Sequence, residues 1–244
     1  MADAEGRRGG SRTRLSAELA ALVELSAALA RADPSGLRSA LERASDVSRP
    51  ARVEEALLQA YLFLGFPAVL SGFAEWRALG VRRTPPREEG RGRAQPALPP
   101  EGAPDPALWI RRGEALCRRI YGRAYAKLRQ NVRRLHPALD DWMVMEGYGK
   151  VLGRPELDPV SRELCIVGLL AAADHPRQLH SHLRGALNVG ADERAVGEAL
   201  EIGLGWVADP GRRRAAEALW RRVRHGTSGP AAAEAPESGL GTTT

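Results

Sequence analysis

The 244-residue chain predicts an all-α protein, and three observations carry the prediction. Apolar residues recur at i, i+3 and i+4 along most of the sequence. Strand signals are nearly absent. Aromatic residues are only 5% while alanine is abundant, which suits thin, closely packed helices better than a β-sandwich or barrel. Hydrophobic residues at 43% and charged residues at 27% allow a sizeable core and exclude wholesale disorder.

In chain order, residues 1–14 are small, charged and glycine-containing, and read as a disordered N-terminus. Residues 15–81 form an N-terminal helical half. Its first helix places Leu15, Leu19, Leu22, Leu25 and Leu29 at helical spacing, and residues 34–44 carry a second, shorter pattern. From Val53 a third, strongly apolar stretch runs to Leu79, and Pro67 must kink or break it. With Leu57, Leu58, Leu62, Phe63, Leu64, Phe66, Val69, Leu70, Phe73 and Trp76, it offers more apolar surface than one helix face buries. A stable homo-oligomer is therefore expected. Residues 82–106 hold 7 of the 17 prolines and few aliphatic side chains, the composition of a linker. Residues 107–225 form a second helical domain. Within it, 111–135 reads as one basic amphipathic helix with Leu116, Ile120, Ala124, Leu128 and Leu135 on its apolar side. Residues 226–244 are a low-complexity tail, expected to be disordered.

Charge and cysteine content narrow the function. The net charge is +6, yet only Lys127 and Lys150 are lysines. The arginines cluster at 82–93, 111–134 and 212–224, each compatible with a solvated face, and no nucleic-acid-reading motif accompanies them. Nucleic-acid binding is not expected. No run of 18 apolar residues occurs, and Glu18 and Glu24 interrupt the best leader-like stretch, so the expected location is cytoplasmic without a membrane. Two cysteines cannot build a disulfide framework or a cysteine-rich zinc site. Cys165 reads as a buried, inert thiol. Cys117 lies in the arginine-rich segment, where positive charge would lower its pKa.

The informative block is 157–190. Asp158 as N-cap with Pro159 at the first helical position predicts a helix over 159–173. Asp174 and Pro176 open the next helix, which Gly190 closes. Glu163 shares a stripe with Val160, Val167 and Leu170; His182 shares one with Leu179, Ala186 and Val189. A carboxylate on an apolar stripe must find a partner. Two readings stay open: a hydrogen bond holding the helix pair together, or an acid–base pair. His175, His180 and His182 cannot chelate one ion from a single helix, because 180 and 182 point apart and 175 lies about 10.5 Å from 182 along the axis. No metal and no cofactor are expected. His136 and His225 read as surface or cap residues. A weak internal repeat pairs Ala17-Glu18-Leu19 with Arg162-Glu163-Leu164, and Val53 to Leu57 with Val196 to Leu200, at offsets of 145 and 143. It suggests a duplicated helical domain with Glu18 at the place of Glu163 and the histidine position near Leu37 or Arg38.

Residues 147–190 resemble the carboxymuconolactone decarboxylase-like family, which includes alkylhydroperoxidase D. The matching strings are GYG-x-VL-x-RPELD, then REL, then PRQL-x-x-HLRGALN-x-G. The resemblance implies an all-α, alkylhydroperoxidase D-like fold, degenerate in its first half, that assembles as trimers or hexamers. Its peroxidase branch uses a Glu, a Cys-x-x-Cys and a His four residues later. Carried onto this chain, Glu and His fall at Glu163 and His182, and the cysteine positions at His175 and Gln178. With both thiols missing, the resemblance favours the decarboxylase branch. That implies a lyase or acid–base enzyme acting on a small carboxylated or lactone substrate. His182 would then be the proton donor and Glu163 its orienting partner. Arg162 or Arg184 would hold a substrate carboxylate, with His175 and Gln178 as weaker substrate contacts. The alternatives are a peroxidase-like antioxidant without the usual thiol pair, and a non-catalytic helical binding protein.

Overall fold

The computed structural model describes residues 15–31, 33–80 and 105–226. The expectations for 1–14, for most of the 82–106 linker and for the tail beyond Gly226 lie outside the described residues. Within them the chain is all-helical, as predicted. The elements are α1 Ala17–Leu29, α2 Pro34–Val47, α3 Pro50–Gln59, α4 Tyr61–Ala78, α5 Pro106–Tyr121, α6 Tyr125–Leu135, α7 Pro137–Trp142, a π-helical segment Met143–Val151, α8 Pro159–Ala173, α9 Pro176–Val189, α10 Glu193–Gly205 and α11 Pro210–Arg224. Seven of these eleven α-helices begin on a proline, which presets φ and lacks the amide that would go unpaired there. No single helix among the described residues is long and apolar enough to cross a membrane.

Helices α1 and α8 pack on one another at the centre, with α2 flanking α1, and α9 and α10 flanking α8. Residues 161–172 of α8 are all buried, so this helix is enclosed on every side, and its apolar sequence is that of an interior helix. Leu22, Leu25, Leu41 and Leu57 from the first half meet Leu164, Ile166 and Leu170 from the second in one continuous core. Each such fully buried side chain contributes on the order of 1.5–3 kcal/mol. Helix α5 lies against the π-helical segment. A Cβ on Gly113 would fall 1.9 Å from the Val144 carbonyl oxygen, and one on Gly149 would fall 1.9 Å from that of Trp109. Two glycines therefore permit backbone-to-backbone contact that any side chain would forbid.

Three local expectations are corrected. The 111–135 stretch is not one helix: Gly122 (φ 52°, ψ −125°) ends α5, a 3-10 turn spans Gly122–Ala124, and α6 restarts at Tyr125. Asn188 fixes this end by donating to the Ile120 carbonyl at 2.7 Å. The apolar 53–79 stretch breaks twice. The axis turns by 120° between α3 and α4, and Gly65 (φ 74°), in a conformation open to glycine, kinks α4 two residues ahead of Pro67. Phe66 and Leu70 stay exposed beyond the kink. Finally, Asp174 does not open α9. It ends α8 in the left-handed conformation (φ 59°, ψ 51°) with its carboxylate 3.1 Å from Arg212, and His175 takes the N-cap position of α9 without a side-chain cap bond.

Candidate functional site

Asp158 sets the start of α8. Its carboxylate accepts from the Ser161 amide at 3.0 Å and from the Ser161 hydroxyl at 2.6 Å. Burial opposes ionisation of this carboxyl, but the Ser161 bonds hold it below the usual range. The cap fixes the register in which Glu163, one turn later, faces α9. On α9 the stripe of Leu179, His182, Ala186 and Val189 is buried, as its spacing predicts.

The two protonatable groups meet. Glu163 is 1% exposed, His182 is 5% exposed, and His182 Nδ1 lies 2.9 Å from Glu163 Oε2. With Nδ1 engaged by the carboxylate, Nε2 is the ring's remaining polar atom. Gly185 makes the meeting possible: a Cβ there would sit 2.7 Å from Glu163 Oε2 and 2.8 Å from Ile120 Cγ2. The Phe63 ring meets the His182 ring edge-on, with centroids 5.4 Å apart. The second carboxylate oxygen, Glu163 Oε1, is buried and finds no hydrogen-bond partner among the described residues.

Near the pair stand groups that no pattern along the chain connects. The hydroxyls of Tyr121, at the end of α5, and Tyr148, in the π-helical segment, are 2.8 Å apart, with their rings edge-to-face. Burial pushes both phenols above their ordinary range, and the charge of Glu163 adds to it. Cys117, one turn before Tyr121, is fully buried. Its thiol is pushed up to about 12, chiefly by burial, with Asp140 and Glu163 adding to the rise. This corrects the expectation of an activated thiol. Arg129 and Arg118 pull the other way, but desolvation outweighs them. Cys165 is likewise buried and pushed up to about 12 by burial, as an inert thiol should be.

The remaining sequence candidates fall in other surroundings. Arg162 is 2% exposed. It donates to Glu55 Oε2 at 2.8 Å, Gln59 Oε1 at 3.2 Å and the carbonyls of Leu157 and Arg154, so its guanidinium is committed to tying α8 to α3. Arg184 is exposed, two residues from His182 and so on another face of α9. Gln178 and His175 lie one and two turns before His182 on its own stripe, both exposed. His180 is half-buried, and burial, then Arg184 and Arg222, lower its pKa. No cluster of three or more potential metal ligands occurs among the described residues. Two open depressions of about 720 and 730 Å³ lie elsewhere, along α10 and α11 and between α1, α2 and α10; neither is lined by Glu163 or His182.

Two comparisons bear on this site. Residues 137–220 match the carboxymuconolactone decarboxylase family, so a domain of that family is recognised over part of the chain. The matched stretch runs from the first residue of α7 into α11 and contains both Glu163 and His182, while Phe63 and Tyr121 lie outside it. The chain is also 28% identical over 154 residues to Peroxisomal protein 2 of Schizosaccharomyces pombe, covering 63% of this chain and 67% of that one.

Proposed function

We propose that the protein is a carboxymuconolactone decarboxylase-like acid–base enzyme acting on a small carboxylated or lactone substrate, with Glu163 and His182 as its proton-handling pair. The observation that carries this reading is the 2.9 Å bond between two ionisable side chains, both nearly excluded from solvent, inside the matched domain. In a decarboxylation the bond to the carboxyl carbon breaks, CO2 leaves, and its electron pair passes into the ring carbonyl as an enolate. His182 Nε2 then returns a proton to carbon, and Glu163 holds the ring and stabilises the imidazolium while it is charged. His175 and Gln178, exposed on the same stripe, line the approach. Arg162 bonds Glu55, Gln59 and two backbone carbonyls, and Arg184 lies on another face of α9, so neither is assigned the substrate carboxylate.

The peroxidase reading has less support, since both cysteines are buried with raised pKa values and His175 and Gln178 stand where that chemistry needs thiols. We also read the two helical halves as degenerate copies, and the exposed Phe66 and Leu70 as surface for a homo-oligomer. The test is turnover of unsaturated lactone acids. His182→Ala and Glu163→Gln should each lower it by about 10²-fold or more with the helical content unchanged. Full activity in both variants removes the pair from the chemistry.

A further inference from the structure

The Glu163–His182 pair supplies a base and a proton but nothing to receive the negative charge that decarboxylation or deprotonation leaves on an oxygen. An enolate oxygen in a buried site needs a hydrogen-bond donor that stays protonated. We infer that the Tyr121 and Tyr148 hydroxyls are that donor, so that the site takes small molecules whose carbonyl oxygen becomes an enolate. The inference rests on the acid–base reading above.

Four observations place the tyrosines there. First, the hydroxyls bond one another at 2.8 Å, which uses one of their two hydrogens and leaves the other without a partner among the described residues. Second, Glu163 Oε1 is a buried acceptor with no partner among the described residues. The free phenol hydrogen calls for an acceptor, such as an enolate oxygen, and Glu163 Oε1 calls for a donor, such as a substrate hydroxyl. Third, α5 is locked against α9, the helix of His182. Ile120 and the Glu163 carboxylate press on the same point at Gly185, Asn188 holds the Ile120 carbonyl, and Arg119 donates to the Val189 carbonyl at 3.2 Å. Tyr121, the next residue, is thereby carried on a helix end that is fixed against α9. Fourth, Tyr148 sits in a nine-residue π-helical segment, a geometry that recurs at functional sites because it re-aims side chains at some cost in backbone regularity. The raised phenol pKa values fit this role, since a donor must keep its proton while charge develops beside it. The step balances: electrons released by bond cleavage rest on the enolate oxygen against the phenol hydrogen, a protonated His182 delivers the proton to carbon, and solvent restores that proton to the imidazole.

The test compares binding of two lactones of nearly equal size: tetronic acid, an enolate at neutral pH, and γ-butyrolactone, which is neutral. Calorimetry on the full chain should find the wild-type protein binding the enolate more tightly. Tyr121→Phe and Tyr148→Phe should each weaken enolate binding about tenfold or more and leave the lactone within about threefold, with Tm little changed. Phenylalanine keeps the ring packing. If Tyr148→Phe nevertheless unfolds the buried segment, Tyr121→Phe, which is only half-buried, decides. Equal losses for both ligands, no loss for either, or no enolate binding by the wild-type protein overturns the inference. His182→Ala separates it from its premise. If that variant turns over lactone acids normally while the tyrosine variants still lose enolate preference, the proton-handling role falls and the donor role stands.

Discussion

The helix pairs α1–α2 and α8–α9 share a plan and differ at the two positions that matter. Helices α2 and α9 are both 14 residues long, both begin on proline, and carry Leu37 and Leu179, Leu41 and Leu183, Ala44 and Ala186 at equal distances from their starts. Counted from its N-cap, Glu163 is the fifth residue of α8, and Ala21 is the fifth of α1; His182 is the seventh of α9, and Ala40 the seventh of α2. Ala21 and Ala40 are both buried. Counted from the N-caps, Glu18 lies one turn before the place that Glu163 takes, and Ala40 takes the place of His182. Glu18 is half-buried. It accepts from the Ser48 hydroxyl at 2.9 Å, and Arg52 Nε lies 3.0 Å away without hydrogen-bond alignment. One pair closes its core with two methyl groups and keeps its acid at the surface. The other places an acid and a base in the equivalent interior, where they stabilise the fold only while each satisfies the other.

The comparison is broken most severely by separating the halves. Arg162→Ala leaves Glu55 buried without its α8 partner, Arg154 at the rim remaining, and should cost about 3–5 kcal/mol in urea unfolding. A loss under about 1 kcal/mol would mean that water reaches this network and that it does not join the halves.

The second prediction converts one helix pair into the other. Glu163→Ala and His182→Ala should each destabilise by about 1–3 kcal/mol, since each strands a buried polar partner. The double variant reproduces the alanines of α1 and α2. It should cost clearly less than the two single changes together, and additive losses would show that the pair is not coupled.

A third prediction, of similar size, concerns the contrast between buried and half-buried carboxylates. Asp140 is fully buried; burial would raise its pKa, but bonds from Arg129 and from Arg133 at 2.9 Å hold it below the usual range. A carboxylate depressed on folding stabilises above its unfolded pKa and loses that contribution as pH falls through the folded value. Asp140→Asn should therefore cost about 1.5–3 kcal/mol at pH 7. The gap to the wild-type protein should close below about pH 4 in acid titrations followed by circular dichroism. Glu18→Gln, by contrast, should cost less than about 1 kcal/mol and nothing at high salt. A pH-independent gap for Asp140→Asn would mean that shape, not charge, holds that corner.

What depends on neighbours along the chain is legible in the residues themselves. Helix starts follow from Asp158-Pro159 and from prolines with a fixed φ, the end of α9 from Gly190, and the inward stripes of Glu163 and His182 from a period of 3.6 residues. What surrounds those residues follows from packing between distant segments. Arg162, next in sequence to Glu163, turns instead to Glu55, 107 residues away. Cys117 sits among arginines along the chain yet keeps its proton because burial outweighs their charge. Tyr121 and Tyr148 become one hydrogen-bonded pair because Gly113 and Gly149 allow close backbone approach of α5 to the π-helical segment, and no periodicity records that approach. Local geometry acts through bonds a few residues long, whereas desolvation and charge depend on distances through space that the chain order does not contain.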